Sequence, residues 1–218
     1  MYHDSVYPVS QTGSTGMAFE AGASGKNLTE WQFGMASLNP RWNVSGTYMQ
    51  VLPSFISTDQ DGNDEKEFLL DYFNELPDLL SMVFLKGYQW PFDVNKIFGD
   101  SSVIDLLVYQ ETVLKKRRVF LDYRVNPGNL EKDRDLPYAS MIPEAKEYLS
   151  QAGACFGTPI ERLKHMNEPA ILFYQDHHVD LFKERLEIAV CAQHNNGGLS
   201  TNHLWETNLS GLYAIGEV

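Results

Sequence analysis

The sequence predicts an α+β protein. Stretches with strand character alternate with stretches of helical periodicity, and no internal repeat or low-complexity tract is present. Residues 28–38, 43–56, 119–123 and 188–192 are rich in β-branched and aromatic side chains, as strands require. Apolar residues recur at helical spacing between 64 and 83, 101 and 116, 143 and 151, and 159 and 165. Of the 218 residues, 43% are hydrophobic and only 21% charged, which suffices for a sizeable core and excludes wholesale disorder.

The elements are justified in chain order. Thr12-Gly13-Ser14-Thr15 ahead of Met17, Ala18 and Phe19, closed by Gly22, reads as a short helix. Two strands follow, with Pro40 and Pro53 as punctuation. Asp64-Glu65-Lys66-Glu67 then places acids in a first helical turn, where they complement the dipole, and Pro77 is expected to kink or split that helix. The next helix ends in Lys115-Lys116-Arg117-Arg118, a basic end suited to a C-terminus. Val119 to Tyr123 reads as a strand, and a polar region at 126–137 separates it from helices that open on Pro143 and Pro159. Residues 180–187 are expected to be helical and 188–192 a short strand, before a tail of turns.

Composition removes several function classes. Seventeen Lys and Arg against 29 Asp and Glu leave a net charge of −12, which argues against nucleic-acid binding. No apolar run reaches the ~20 residues of a membrane span. Met1 to Ser5 has no secretory n-region, so a cytoplasmic location is the default expectation. Cys155 and Cys191 are then expected as thiols, and the Asn-x-Ser/Thr triplets at Asn27, Asn43 and Asn208 as accidental. No metal is expected. His177 and His178 are adjacent and so point apart, while the Asp59 to Asp64 run has its glycine at the wrong position for a calcium loop.

No G-x-G-x-x-G, P-loop or G-x-S-x-G occurs. The most specific string is His194-Asn195-Asn196-Gly197-Gly198, followed by Asn208-Leu209-Ser210-Gly211-Leu212-Tyr213-Ala214-Ile215-Gly216-Glu217. There the chain resembles the flavoprotein subunits of the fumarate reductase and succinate dehydrogenase family, which includes L-aspartate oxidase and has the pattern H-x-x-G-G, then N-x-x-G-L-Y-A-x-G-E. Gly16-Met17-Ala18-Phe19-Glu20-Ala21-Gly22-Ala23 with Gln32-Phe33 is similar to the family's G-M-A-x-x-A-G-A and Q-F-H-P-T, and residues 103–121 resemble its V-F-L-D stretch.

The resemblance implies a capping (substrate) domain at 46–190 flanked by pieces of a discontinuous FAD-binding domain at 1–45 and 191–218. The chain would then be an internal fragment of an FAD-dependent oxidoreductase that transfers hydride between flavin and an organic substrate, inactive in isolation. An electron-transfer partner subunit or domain would complete the system. By the same resemblance His194 hydrogen-bonds the substrate, as an imidazolium can to an anion. Gly197, Gly198, Gln32 and Glu217 would contact the cofactor. Two positions depart from the pattern: Gly34 stands where the family has a substrate-binding His, and Asp100-Ser101-Ser102 where it has a catalytic Arg. The substrate implied is therefore neither succinate nor fumarate. A second reading is a non-catalytic α+β interaction module derived from a flavoprotein scaffold.

Overall fold

The computed structural model describes residues 13–129 and 136–216. It is α+β, as expected. After α1 (Ser14–Glu20) the chain forms β1 (Gly25–Lys26), β2 (Trp31–Leu38) and β3 (Arg41–Asn43), then α2 (Thr47–Gln50) and β4 (Ser54–Thr58). Next come α3 (Leu76–Lys86), α4 (Ser102–Tyr109), β5 (Arg118–Asp122), α5 (Pro143–Gln151), α6 (Pro159–Asp176), β6 (Leu186–Asn195) and β7 (Gly198–Leu199). Five strands make one antiparallel sheet in the order β3-β2-β6-β5-β4, while β1 and β7 pair separately.

Strand β4 is buried at every position, so both of its faces are covered. Its outer edge is closed by a bridge in which Ser57 and Lys66 exchange backbone hydrogen bonds of 2.8 and 2.9 Å, which blunts the edge against pairing with another chain. One continuous core joins Met35, Phe55, Leu121 and Ile188 of the sheet to Leu80 and Val83 of α3, Ile104 of α4 and Leu163 and Tyr174 of α6.

Pro77 splits the expected helix: a 3-10 turn at Phe68–Asp71 precedes α3, and Pro77 sits in the first turn of α3, where its missing N–H costs nothing. Two expectations are corrected. The run 43–56 is not one strand, because Gly46 at φ 59° turns the chain into α2 between β3 and β4. Residues 180–187 are not a helix. The Asp180 carboxylate accepts from the Phe182 N–H at 3.0 Å, a local turn that competes with helix, and β6 begins at Leu186.

Helix α6 runs beyond the expected 159–165. Asn167 leaves the helical conformation two residues before Pro169, and its amide donates to Thr47 Oγ1 at 2.8 Å, holding the kink against α2. Arg162 of α6 is fully buried and donates to the carbonyls of Val51, Phe156 and Gly157 and to Asn126 Oδ1. Its guanidinium satisfies four loop acceptors that no secondary-structure ladder reaches. Both cysteines are free, Cys155 exposed and Cys191 buried. Among the described residues no helix is long and apolar enough to cross a membrane.

Lys86 of α3 and Asp105 of α4 form an ion pair, each about 1% exposed. Neither gains a further hydrogen bond among the described residues, so their attraction has to offset the desolvation of both charges alone. Burial pushes the Asp105 carboxyl up to about 6, with Lys86 only partly countering it. A carboxyl raised in the folded state favours folding most below its unfolded pKa, and that contribution is lost as pH rises through about 6. Denaturant titrations should therefore show stability falling across that window. Lys86→Met or Asp105→Leu alone should cost about 3–5 kcal/mol, whereas the double variant should be near neutral and lose that pH dependence.

Candidate functional site

The two resembling segments, far apart in sequence, meet at one end of the molecule. Strand β1 pairs antiparallel with β7, Gly25 opposite Leu199 and Lys26 opposite Gly198. The Asn208 side chain ties the tail to the α1–β1 connection: Oδ1 accepts from Ser24 N at 2.7 Å and Nδ2 donates to Gly22 O at 3.0 Å. Ser200 N donates to Ser24 O at 2.7 Å.

His194 is delivered by β6, directly opposite Gln32 of β2. A bulge follows, because Phe33 faces Ala192 and Gln193 is left as the extra residue. The Gln193 side chain is then used structurally. It donates from Nε2 to Gly34 O at 2.8 Å and accepts at Oε1 from buried Arg41 at 2.6 Å. Beyond His194 the Asn195 carboxamide accepts from Gly197 N at 2.8 Å, an Asx turn that leads the chain into β7.

This turn borders a cavity of about 470 Å³. Lys26 and Asn27 line one side, residues 194–201 the other, and Gly216 also contributes. His194, Gly197 and Gly198 thus share one cavity, whereas Gln32 does not line it although it neighbours His194 in the sheet. Glu217 lies outside the described residues.

Gly197 has a structural requirement of its own. A Cβ there would stand 2.0 Å from Asn27 O and 2.3 Å from its carbonyl carbon, so backbone crowding against the β1 exit demands glycine without any ligand. The glycine at 197 is therefore not by itself a sign of a cofactor. Gly34 is fixed in the same way: its Cβ position lies 2.2 Å from Trp90 Nε1, so Trp90 occupies the space that a side chain at 34 would need. Backbone pairing of Phe92 N with Phe33 O at 2.7 Å seats the Trp90 loop on β2.

The other departure is equally self-contained. Buried Ser101 donates from Oγ to Gln89 Oε1 at 2.7 Å, and Ser102 Oγ accepts from Asp93 N at 3.0 Å. Neither lines the cavity. Asp122, at the end of the V-F-L-D match, accepts from Arg124 and Arg185. Burial alone would raise its carboxyl, but these hydrogen bonds outweigh it and hold the group below the usual carboxylate range. His177 Nδ1 contacts Phe173 O, and Asp59 accepts from the amides of Asp61 and Asn63. Among the described residues no cluster of three metal-ligating side chains occurs.

Sequence reasoning overlooked Lys26, Asn27, Ser200 and Thr201. They belong to a two-residue ladder and its flanks, which leave no periodic signal. No protein-family model, no curated protein and no solved structure matches the chain.

The contact between Gly34 and Trp90 is testable by a double-mutant cycle. Gly34→Ala should destabilise by about 1–3 kcal/mol through overpacking. In a Trp90→Ala background the same change should cost far less in urea titrations, and equal costs in both backgrounds would refute the steric coupling.

Proposed function

We propose that this chain supplies the capping domain and part of the flavin cradle of an FAD-dependent oxidoreductase similar to the fumarate reductase and succinate dehydrogenase flavoproteins. In this reading residues 46–190 form the cap, and 1–45 and 191–218 are the flanking pieces of the flavin domain. The observation that supports it best is the joining of the two motif-bearing segments through the β1–β7 ladder and the Asn208 bridge, beside a cavity that His194, Gly197 and Gly198 line.

The lining is chemically suited to a flavin's pyrimidine edge, whose carbonyl and ring-nitrogen acceptors match the Lys26 ammonium and the Asn27 amide. Gly197 and Gly198 would lie against that ring, and His194 would donate to the substrate. When bound, the flavin supplies the two-electron chemistry. This chain's residues bind and orient. Gly34 with Trp90 in its side-chain space, and Ser101 bound to Gln89, offer neither the family's histidine nor its guanidinium, so the substrate is an organic molecule other than succinate or fumarate.

The second reading, a cofactor-free interaction module, gains support from Gly197, whose glycine is required by Asn27 alone. The source reading frame separates the two. On the flavoprotein reading the coding sequence extends to a G-x-G-x-x-G loop, and the extended protein purifies with stoichiometric flavin. The 218-residue chain itself should take up FAD weakly or not at all, because it has no Gly-rich pyrophosphate loop. Absorbance after reconstitution with FAD measures this. An extended protein that never retains flavin would overturn the reading in favour of the module.

A further inference from the structure

A chain with a net charge of −12 repels anions unless a local group of donors opposes the overall field. The conspicuous basic run at 115–118 does not serve. Lys115 pairs with Glu111, Arg117 with Glu111 and Asp64, and Arg118 with Glu187. Three of its four charges are thus spent on ion pairs within the fold.

The cavity at the β1–β7 ladder has the opposite character. Of its eleven described lining residues none is acidic. Lys26 is exposed, lines the cavity and makes no ion pair among the described residues. The same cavity is lined by Asn27 and Asn196, which carry amides, and by Ser200 and Thr201, which carry hydroxyls. An ammonium point charge in a cavity also lined by neutral polar residues, with no carboxylate among the described lining residues, suits an oxyanion, and the volume of about 470 Å³ admits a small organic molecule around that group.

We propose that this cavity binds a small molecule through an oxyanion group, carboxylate or phosphate, and that Lys26 is its counter-charge. The inference goes beyond the flavin reading of the same cavity, because it gives Lys26 to an oxyanion and not to the flavin's pyrimidine edge. It is tested without flavin, so the two can fail separately.

The test is a titration of the full chain, followed by backbone amide NMR at Lys26, Gly198 and Leu199, with sodium acetate and inorganic phosphate as probes and sodium chloride at matched ionic strength as reference. Saturable shifts at these amides are expected with at least one probe and not with chloride. Saturation by acetate alone assigns a carboxylate, by phosphate alone a phosphate ester, and by both a site that reads charge. Lys26→Gln should weaken binding by about tenfold or more, as loss of one charge-assisted hydrogen bond does, while Lys26→Arg should retain it. Lys146→Gln, on the exposed face of α5, should change nothing. Absence of saturable shifts with both probes in the wild-type chain, which requires no variant to fold, would overturn the proposal. So would undiminished binding by a folded Lys26→Gln protein.

Discussion

Strand β6 is the element on which the rest of the structure hangs. It is hydrogen-bonded to β2 on one side and β5 on the other, so without it the sheet would fall into two unconnected pairs, β3-β2 and β5-β4. Ile188 marks the centre, opposite Ser37 in one direction and Val119 in the other, and is fully buried. Because side chains alternate with a period of two, a one-residue slip of β6 would turn Ile188 out of the core and His194 away from the face it shares with Gln32. The register that closes the core is therefore the register that builds the site. The bulge at Gln193 lets one strand serve both ends, absorbing an extra residue while its side chain stitches Arg41 to the backbone of Gly34.

Much of this was legible in the sequence wherever a local rule dominates. Pro143 and Pro159 open α5 and α6, Pro77 divides the 64–83 stretch, and the small and hydroxyl residues before Met17 lead into α1. The failures have two kinds of cause: a local turn, as at Gly46 and at Asp180, and a contact from outside the local window. Residues 47–50 have strand composition yet turn helically, because Gly46 breaks the run and Tyr48 and Met49 are buried in the core. The pattern ending at His165 stops where Pro169 should end a helix, yet α6 continues because Thr47 holds the kink at Asn167. Lys86 and Asp105 look like solvated residues in amphipathic helices. Their burial depends on α3 meeting α4, which no spacing encodes.

The candidate site was half legible for the same reason. A string of His, Asn and Gly marks its turn, and the structure sets His194, Gly197 and Gly198 around one cavity. Gln32, expected on a strand and at the cofactor, lies in β2 opposite His194 but does not line that cavity. Lys26 carries no motif at all. It becomes a site residue only through its pairing with Gly198, a contact between segments more than a hundred and seventy residues apart.

The glycines show why motif and mechanism have to be argued apart. Gly197 answers to the backbone of Asn27 and Gly34 to the indole of Trp90, so each would be required in a protein that bound nothing. A glycine turn therefore says that two backbones come close, and only the remaining side chains say whether a ligand joins them. Here the described lining offers an ammonium, an imidazole, amides and hydroxyls, with no acid among the described residues, in a chain where three of the four charges of the basic run at 115–118 are held in ion pairs. Nothing in the packing of the five-stranded sheet calls for that selection. The anionic ligand proposed for the end of β6 would.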